Sequence, residues 1–181
     1  MKNKIIICLA LSAILLAGCH RDEYRADAYV PKEKYEIKEK KEDSTAPSLD
    51  GYIFSYNGTD VIMDAEADPV IAALGDYENY FESPSCAGQG IGKLYGYKDF
   101  EVQTYPKDGK DLILYVRLTS DMVSTSEGID LSATADKVKE VYGEPASEED
   151  SALIYEKGGM KLKFIFDADK LLSIEYDSPK A

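Results

Sequence analysis

The chain has 181 residues, with 21 Lys and Arg against 34 Asp and Glu and a formal net charge of −13. Its first fifty residues are balanced in charge, so the acidic excess falls from Gly51 onward. Such a surface disfavours nucleic acid and bare anionic lipid as partners, and favours solubility or a basic protein partner.

In chain order, the first predicted element is an export signal. Lys2 and Lys4 precede an apolar run from Ile5 to Leu16, too short to span a bilayer comfortably and followed by small residues. Leu16, Ala17, Gly18 and Cys19 resemble the lipobox of bacterial lipoproteins. The resemblance implies removal of residues 1–18 and attachment of lipid to the Cys19 thiol, usually with a further acyl chain such as palmitate on the new amino terminus. Two or more chains give stable anchoring where one does not. The expected location is extracytoplasmic, lipid-anchored to a bacterial membrane, on the outer face of the cell membrane in preference to the outer membrane. Membrane contact is expected through the anchor only, because no later segment is apolar enough to cross.

Residues 19–50 comprise the lipidated cysteine and a tether. Charges of both signs alternate there without a sustained apolar stripe. A flexible chain of this length has an end-to-end distance on the order of 30 Å, enough to hold a domain off a membrane.

Residues 51–181 carry the pattern of a globular domain. Asn57-Gly58 between "YIFSY" and "VIM" predicts a β-hairpin. In "DAEADPVIAALGD", Asp68 as cap, Pro69 in the first turn and Gly75 as stop predict a short helix with Val70, Ala73 and Leu74 on one face. The same grammar returns in "GIDLSATADKVKEVYGEP", with Ser132 or Thr134 as cap, Val138, Val141 and Tyr142 on one face, and Gly143 as stop. Three strands are predicted after each helix: "KLYGY", "FEVQTY" and "DLILYVRL", then "SALIYE", "KLKFIF" and "LLSIEY". Leu112, Leu114 and Val116, and Leu162, Phe164 and Phe166, alternate as buried faces.

The expected fold class is therefore α+β. Two tandem repeats, about residues 58–118 and 128–177, would each be a short helix followed by a three-stranded antiparallel meander. One continuous antiparallel sheet with the helices on one face is among the arrangements this allows. This layout, with its G-x-x-L-x-x-T-x-x-x-V-x-x-x-Y-G-x-P run from Gly128 to Pro145, resembles the β-lactamase inhibitor protein fold and the small outer-membrane assembly lipoproteins. That resemblance implies a docking surface made of sheet and loops; it does not transfer a target.

Catalysis is not expected. The only histidine is His20, next to the lipidation site, and no metal signature or phosphate loop is present. No cofactor and no metal are expected; "DAEAD" and "DADK" read as helix-start acids and a hairpin turn. Cys86 follows acidic residues, has no histidine to pair with, and is expected as a small packing residue. The suggestive feature is tyrosine, with 14 in the chain and no tryptophan. Tyr77, Tyr80, Phe81, Tyr95 and Tyr97 lie in or beside residues 75–92, expected as the longest irregular connection, and are the candidate partner-binding residues. The expected function is a non-catalytic protein-binding module. The alternatives are a structural or assembly component of a cell-envelope complex, and a small-molecule or peptidoglycan binder.

Overall fold

The computed structural model describes residues 50–149 and 151–181. The export signal, Cys19, His20 and the tether up to residue 49 lie outside the described residues. Strands β1 (Phe54–Tyr56) and β2 (Thr59–Val61) form the expected hairpin. Asn57 and Gly58 adopt φ of 50° and 82°, the left-handed pair that a tight two-residue turn requires.

Helix α1 (Ala67–Leu74) begins before Asp68, and its N-cap Glu66 makes no side-chain cap bond. The chain is instead set by backbone: Asp64 N–H donates to Ile113 O, and Ile113 N–H donates to Ala65 O, both at 2.9 Å. Pro69 sits in the first turn, where a missing N–H costs no helical bond. Ala67, Val70, Ile71 and Leu74 pack inward, whereas the expected Ala73 is exposed. The stripe thus follows i, i+3, i+4, i+7, with Ile71 taking the place given to Ala73.

Four strands follow α1: β3 (Asn79–Pro84), β4 (Ile91–Gly96), β5 (Phe100–Lys107) and β6 (Lys110–Leu118). Helix α2 (Ala135–Tyr142) and four more strands complete the chain: β7 (Ser147–Glu149), β8 (Ala152–Lys157), β9 (Met160–Asp167) and β10 (Lys170–Asp177). The eight form one antiparallel sheet in the order β3-β4-β5-β6-β10-β9-β8-β7. The fold is mostly β, and three predicted strands per helix become four. The added strands β3 and β7 are the sheet's edges, with every residue exposed, so no buried alternation marks them in the sequence. Residues 75–92 are correspondingly not an irregular loop.

Thr134 caps α2, its Oγ1 accepting from Lys137 N–H at 3.3 Å. Gly143 closes that helix with φ 81° and ψ −156°, close to the 86° and −153° of Gly75 after α1.

One face of the sheet is the core. Val102, Val116, Tyr176, Leu162 and Tyr155 lie across from one another on successive strands, flanked by Phe100, Leu118, Ile174, Phe164 and Leu153. Both helices pack against this cluster. Each large apolar side chain buried there contributes about 1.5–3 kcal/mol. The expected alternation holds through Leu162, Phe164 and Phe166 but shifts in β6. The register passes from Gln103↔Tyr115 to Thr104↔Ile113, so Leu114 is an inserted residue and Ile113 joins the core cluster.

The opposite face carries charge. Glu101, Arg117, Glu175 and Lys163 stand opposite one another on β5, β6, β10 and β9, alternating in sign. Arg117 donates to Glu175 at 2.7 Å and to Glu101 at 3.5 Å, and Lys163 pairs with Asp177. Such cross-strand pairs add about 0.2–1 kcal/mol each, so the apolar face dominates the stability.

Candidate functional site

The site is built at the β3 edge. Pairing of Tyr80 with Tyr95 and of Glu82 with Lys93 puts all four side chains on one face of the β3–β4 ribbon. Tyr95 stands opposite core residue Val102, so this is the helix-bearing face. Tyr77, just before β3, completes a cluster of three rings with centroids 5.8 Å (Tyr77–Tyr80), 5.2 Å (Tyr77–Tyr95) and 5.3 Å (Tyr80–Tyr95) apart. Tyr95 forms the floor at 8% exposure, while Tyr77 and Tyr80 are 44% and 40% exposed. Those separations suit edge and tilted aromatic contacts, leaving two ring faces toward solvent.

Phe81 and Tyr97 are not part of that cluster. Phe81 alternates to the other face, opposite Leu94, and is 62% exposed. Tyr97 stacks on Phe100 at 4.7 Å, and its buried hydroxyl has no hydrogen-bond partner among the described residues. Burial pushes the Tyr97 phenol up to about 12. Its position is that of a packing residue against the core.

Electrostatics frame the cluster. The Tyr80 hydroxyl donates to Glu82, and that hydrogen bond, above all, pushes its phenol up to about 12. Lys93 pairs with Asp111, whose hydrogen bond raises the lysine pKa. Beside the rings lies a cleft of about 450 Å³ lined by Glu66, Asp68, Lys93, Pro106, Lys110 and Asp111. Lys110 pairs with Glu66; Asp68 has no ion-pair partner among the described residues. The cleft offers charge and hydrogen bonding, with no cysteine or hydroxyl nucleophile in its lining.

The β3–β4 connection closes through Ser85 N–H donating to Gly90 O at 2.9 Å. Gly88 lies so close to β5 that a Cβ there would stand 2.5 Å from Pro106 O. Cys86 is exposed, correcting its expected packing role: the strand pairing ends at Pro84 and the glycine, not the cysteine, touches the sheet. Among the described residues no group of three or more His, Cys, Asp or Glu side chains could hold a metal ion. No helix among them is long and apolar enough to cross a membrane.

Sequence reasoning missed Glu82, Lys93 and Asp111 as the rim of the tyrosine cluster. The period-2 spacing of Tyr80 with Glu82 and of Lys93 with Tyr95 carried the signal once β3 was known to be a strand. It also missed Asp64, whose carboxylate accepts from the hydroxyls of Tyr105 at 2.8 Å and Ser178 at 2.7 Å. No family model matches this chain, and no curated protein or solved structure matches it.

Proposed function

We propose that this chain is a non-catalytic protein-binding module, held at the outer face of a bacterial membrane by lipid on Cys19, whose partner docks at the β3–β4 end of the sheet. One observation carries this reading: an edge strand exposed at every residue displays Tyr80 on one face and Phe81 on the other, with Tyr77 beside it. Large aromatic side chains bury much area at low entropic cost, which is why they dominate protein interfaces. Of the six large hydrophobic side chains exposed among the described residues, these three lie within five positions of one another.

The tandem layout belongs to the same proposal. Two eight-residue helices, each closed by a glycine of similar backbone angles and each followed by four strands, support descent from one duplicated unit. The inhibitor-like fold reading rests on that duplication. A second reading, a small-molecule or peptidoglycan binder, draws on the cleft beside the rings.

A photo-crosslinking residue at position 81 should capture an envelope protein, while one at position 169, in the β9–β10 turn, should not. Capture at neither site, or at both equally, would remove the docking site from this end. Intact mass of the protein from its own cells should include a diacylglycerol, absent in Cys19→Ala.

A further inference from the structure

The two edges of the sheet are finished differently. β7 has three residues, two of them glutamates, and Glu148 is held by Lys139 of α2 at 2.8 Å. Short, charged edges resist the addition of another strand. β3 has six residues, of which the only charged one, Glu82, is engaged by the Tyr80 hydroxyl; Pro84, which has no N–H to offer, closes its end and leaves Asn79–Ser83 as the open stretch. It pairs with β4 along its whole length, and its other side has no strand partner among the described residues.

Charge around this edge is one-sided. Asp76 and Glu78 flank Tyr77 in the chain, Glu82 accepts from the Tyr80 hydroxyl and Asp68 acts electrostatically on Tyr95, while the two lysines of the adjoining cleft, Lys93 and Lys110, are already paired with Asp111 and Glu66. Cations over tyrosine faces occur elsewhere in this chain, with Lys157 5.7 Å from the Tyr52 centroid and Arg117 5.3 Å from that of Tyr115.

Resting on the protein-binding reading above, we infer that the partner presents a basic extended segment that adds to β3 as a further antiparallel strand. Side chains directly opposite one another in such a pair share a face. Residues opposite Tyr80 and Glu82 are therefore lysine or arginine, one lying on the exposed ring and one meeting the carboxylate. The residue between them, opposite Phe81, is apolar. The recognised pattern is basic–apolar–basic, with main-chain hydrogen bonds supplying affinity and alternate side chains supplying selection.

The test uses the full chain and a labelled synthetic peptide of alternating lysine and valine, followed by fluorescence anisotropy. Three comparison peptides share its length: one with lysines clustered at one end, one with glutamate for lysine, and one N-methylated at its lysine backbone nitrogens, the set that faces β3 when lysines lie opposite Tyr80 and Glu82. The alternating peptide should bind, and the other three should each bind at least about tenfold more weakly. Tyr80→Ala and Glu82→Gln, both exposed and checked for folding by circular dichroism, should each weaken binding about tenfold. Equal binding of the clustered peptide reduces the effect to diffuse charge and overturns the inference. Equal binding of the N-methylated peptide removes the strand pairing and overturns it too. If no peptide binds while position 81 still crosslinks to an envelope protein, this inference fails and the binding module stands; if both fail, the module falls as well.

Discussion

The two ends of the sheet use tyrosine in opposite ways. At the end of α2, Tyr142 lies 5.3 Å from Tyr155 and 5.2 Å from Phe164, with the Tyr52 ring 6.3 Å away. There the hydroxyls bond to other segments of the chain, Tyr142 to Glu127 and Tyr155 to Gly143 O at 3.0 Å. At the β3 end the Tyr77–Tyr80–Tyr95 rings have similar spacing, yet two stay open to solvent and Tyr80 bonds only a neighbour on its own strand. Aromatic clustering alone does not separate packing from display. What separates them is whether another segment of chain closes over the rings.

The sharpest way to break that contrast is truncation at each end. Phe164→Ala, fully buried, should cost about 3–5 kcal/mol, whereas Phe81→Ala should stay within about 0.5 kcal/mol; urea unfolding monitored by circular dichroism measures both. A large loss at Phe81 would make the β3 end part of the core and end its role as a display surface.

Alkaline titration comes next. Burial raises the phenols of Tyr105, Tyr142 and Tyr176, with hydrogen bonds to Asp64 and Glu127 adding to the first two. A raised folded-state value means that these groups favour the fold fully below the unfolded phenol value of about 10. That contribution is lost as pH rises through the folded values. The urea midpoint should therefore hold to about pH 9 and fall above about 10, and tyrosinate absorbance is clean because the chain has no tryptophan.

The helices give a smaller contrast. Thr134→Ala removes a side-chain cap and should cost about 1 kcal/mol. Glu66→Ala removes none and breaks only an exposed pair with Lys110, worth at most about 1 kcal/mol and often nothing measurable. Equal losses would mean that α1 depends on its start as α2 does. The smallest effect is spectroscopic: Glu82→Gln should lower the Tyr80 phenol from about 12 toward its ordinary value, followed by ring-carbon chemical shifts, with little change in stability.

Much of this fold was legible where a local rule acts alone. Asn57-Gly58 needs only a left-handed pair, and Thr134 with Gly143 brackets α2 by caps that bond within a few residues. The central strands announced themselves because one face of each is buried. The edge strands did not, since Asn79–Pro84 and Ser147–Glu149 bury nothing and are strands only through their single neighbour. The site suffered the same blindness. Tyr77 and Tyr80 were visible as residues, but Tyr97 leaves the group because its ring meets Phe100 across a tight turn. The Asp64 network, spanning 41 residues to Tyr105 and 114 to Ser178, follows from register that no local pattern encodes.

The place of β10 has a consequence for how the molecule comes into being. It emerges from the ribosome after every other described strand, yet it occupies the middle of the sheet between β6 and β9. Until it arrives, β6 has an unfilled side and Asp64 lacks its Ser178 contact. Growth from one end toward the other therefore cannot finish this sheet; its two halves must wait for a final strand to join them. Such late, long-range closure makes assembly slow and leaves a nascent chain open to mispairing for longer than a protein built from neighbouring contacts.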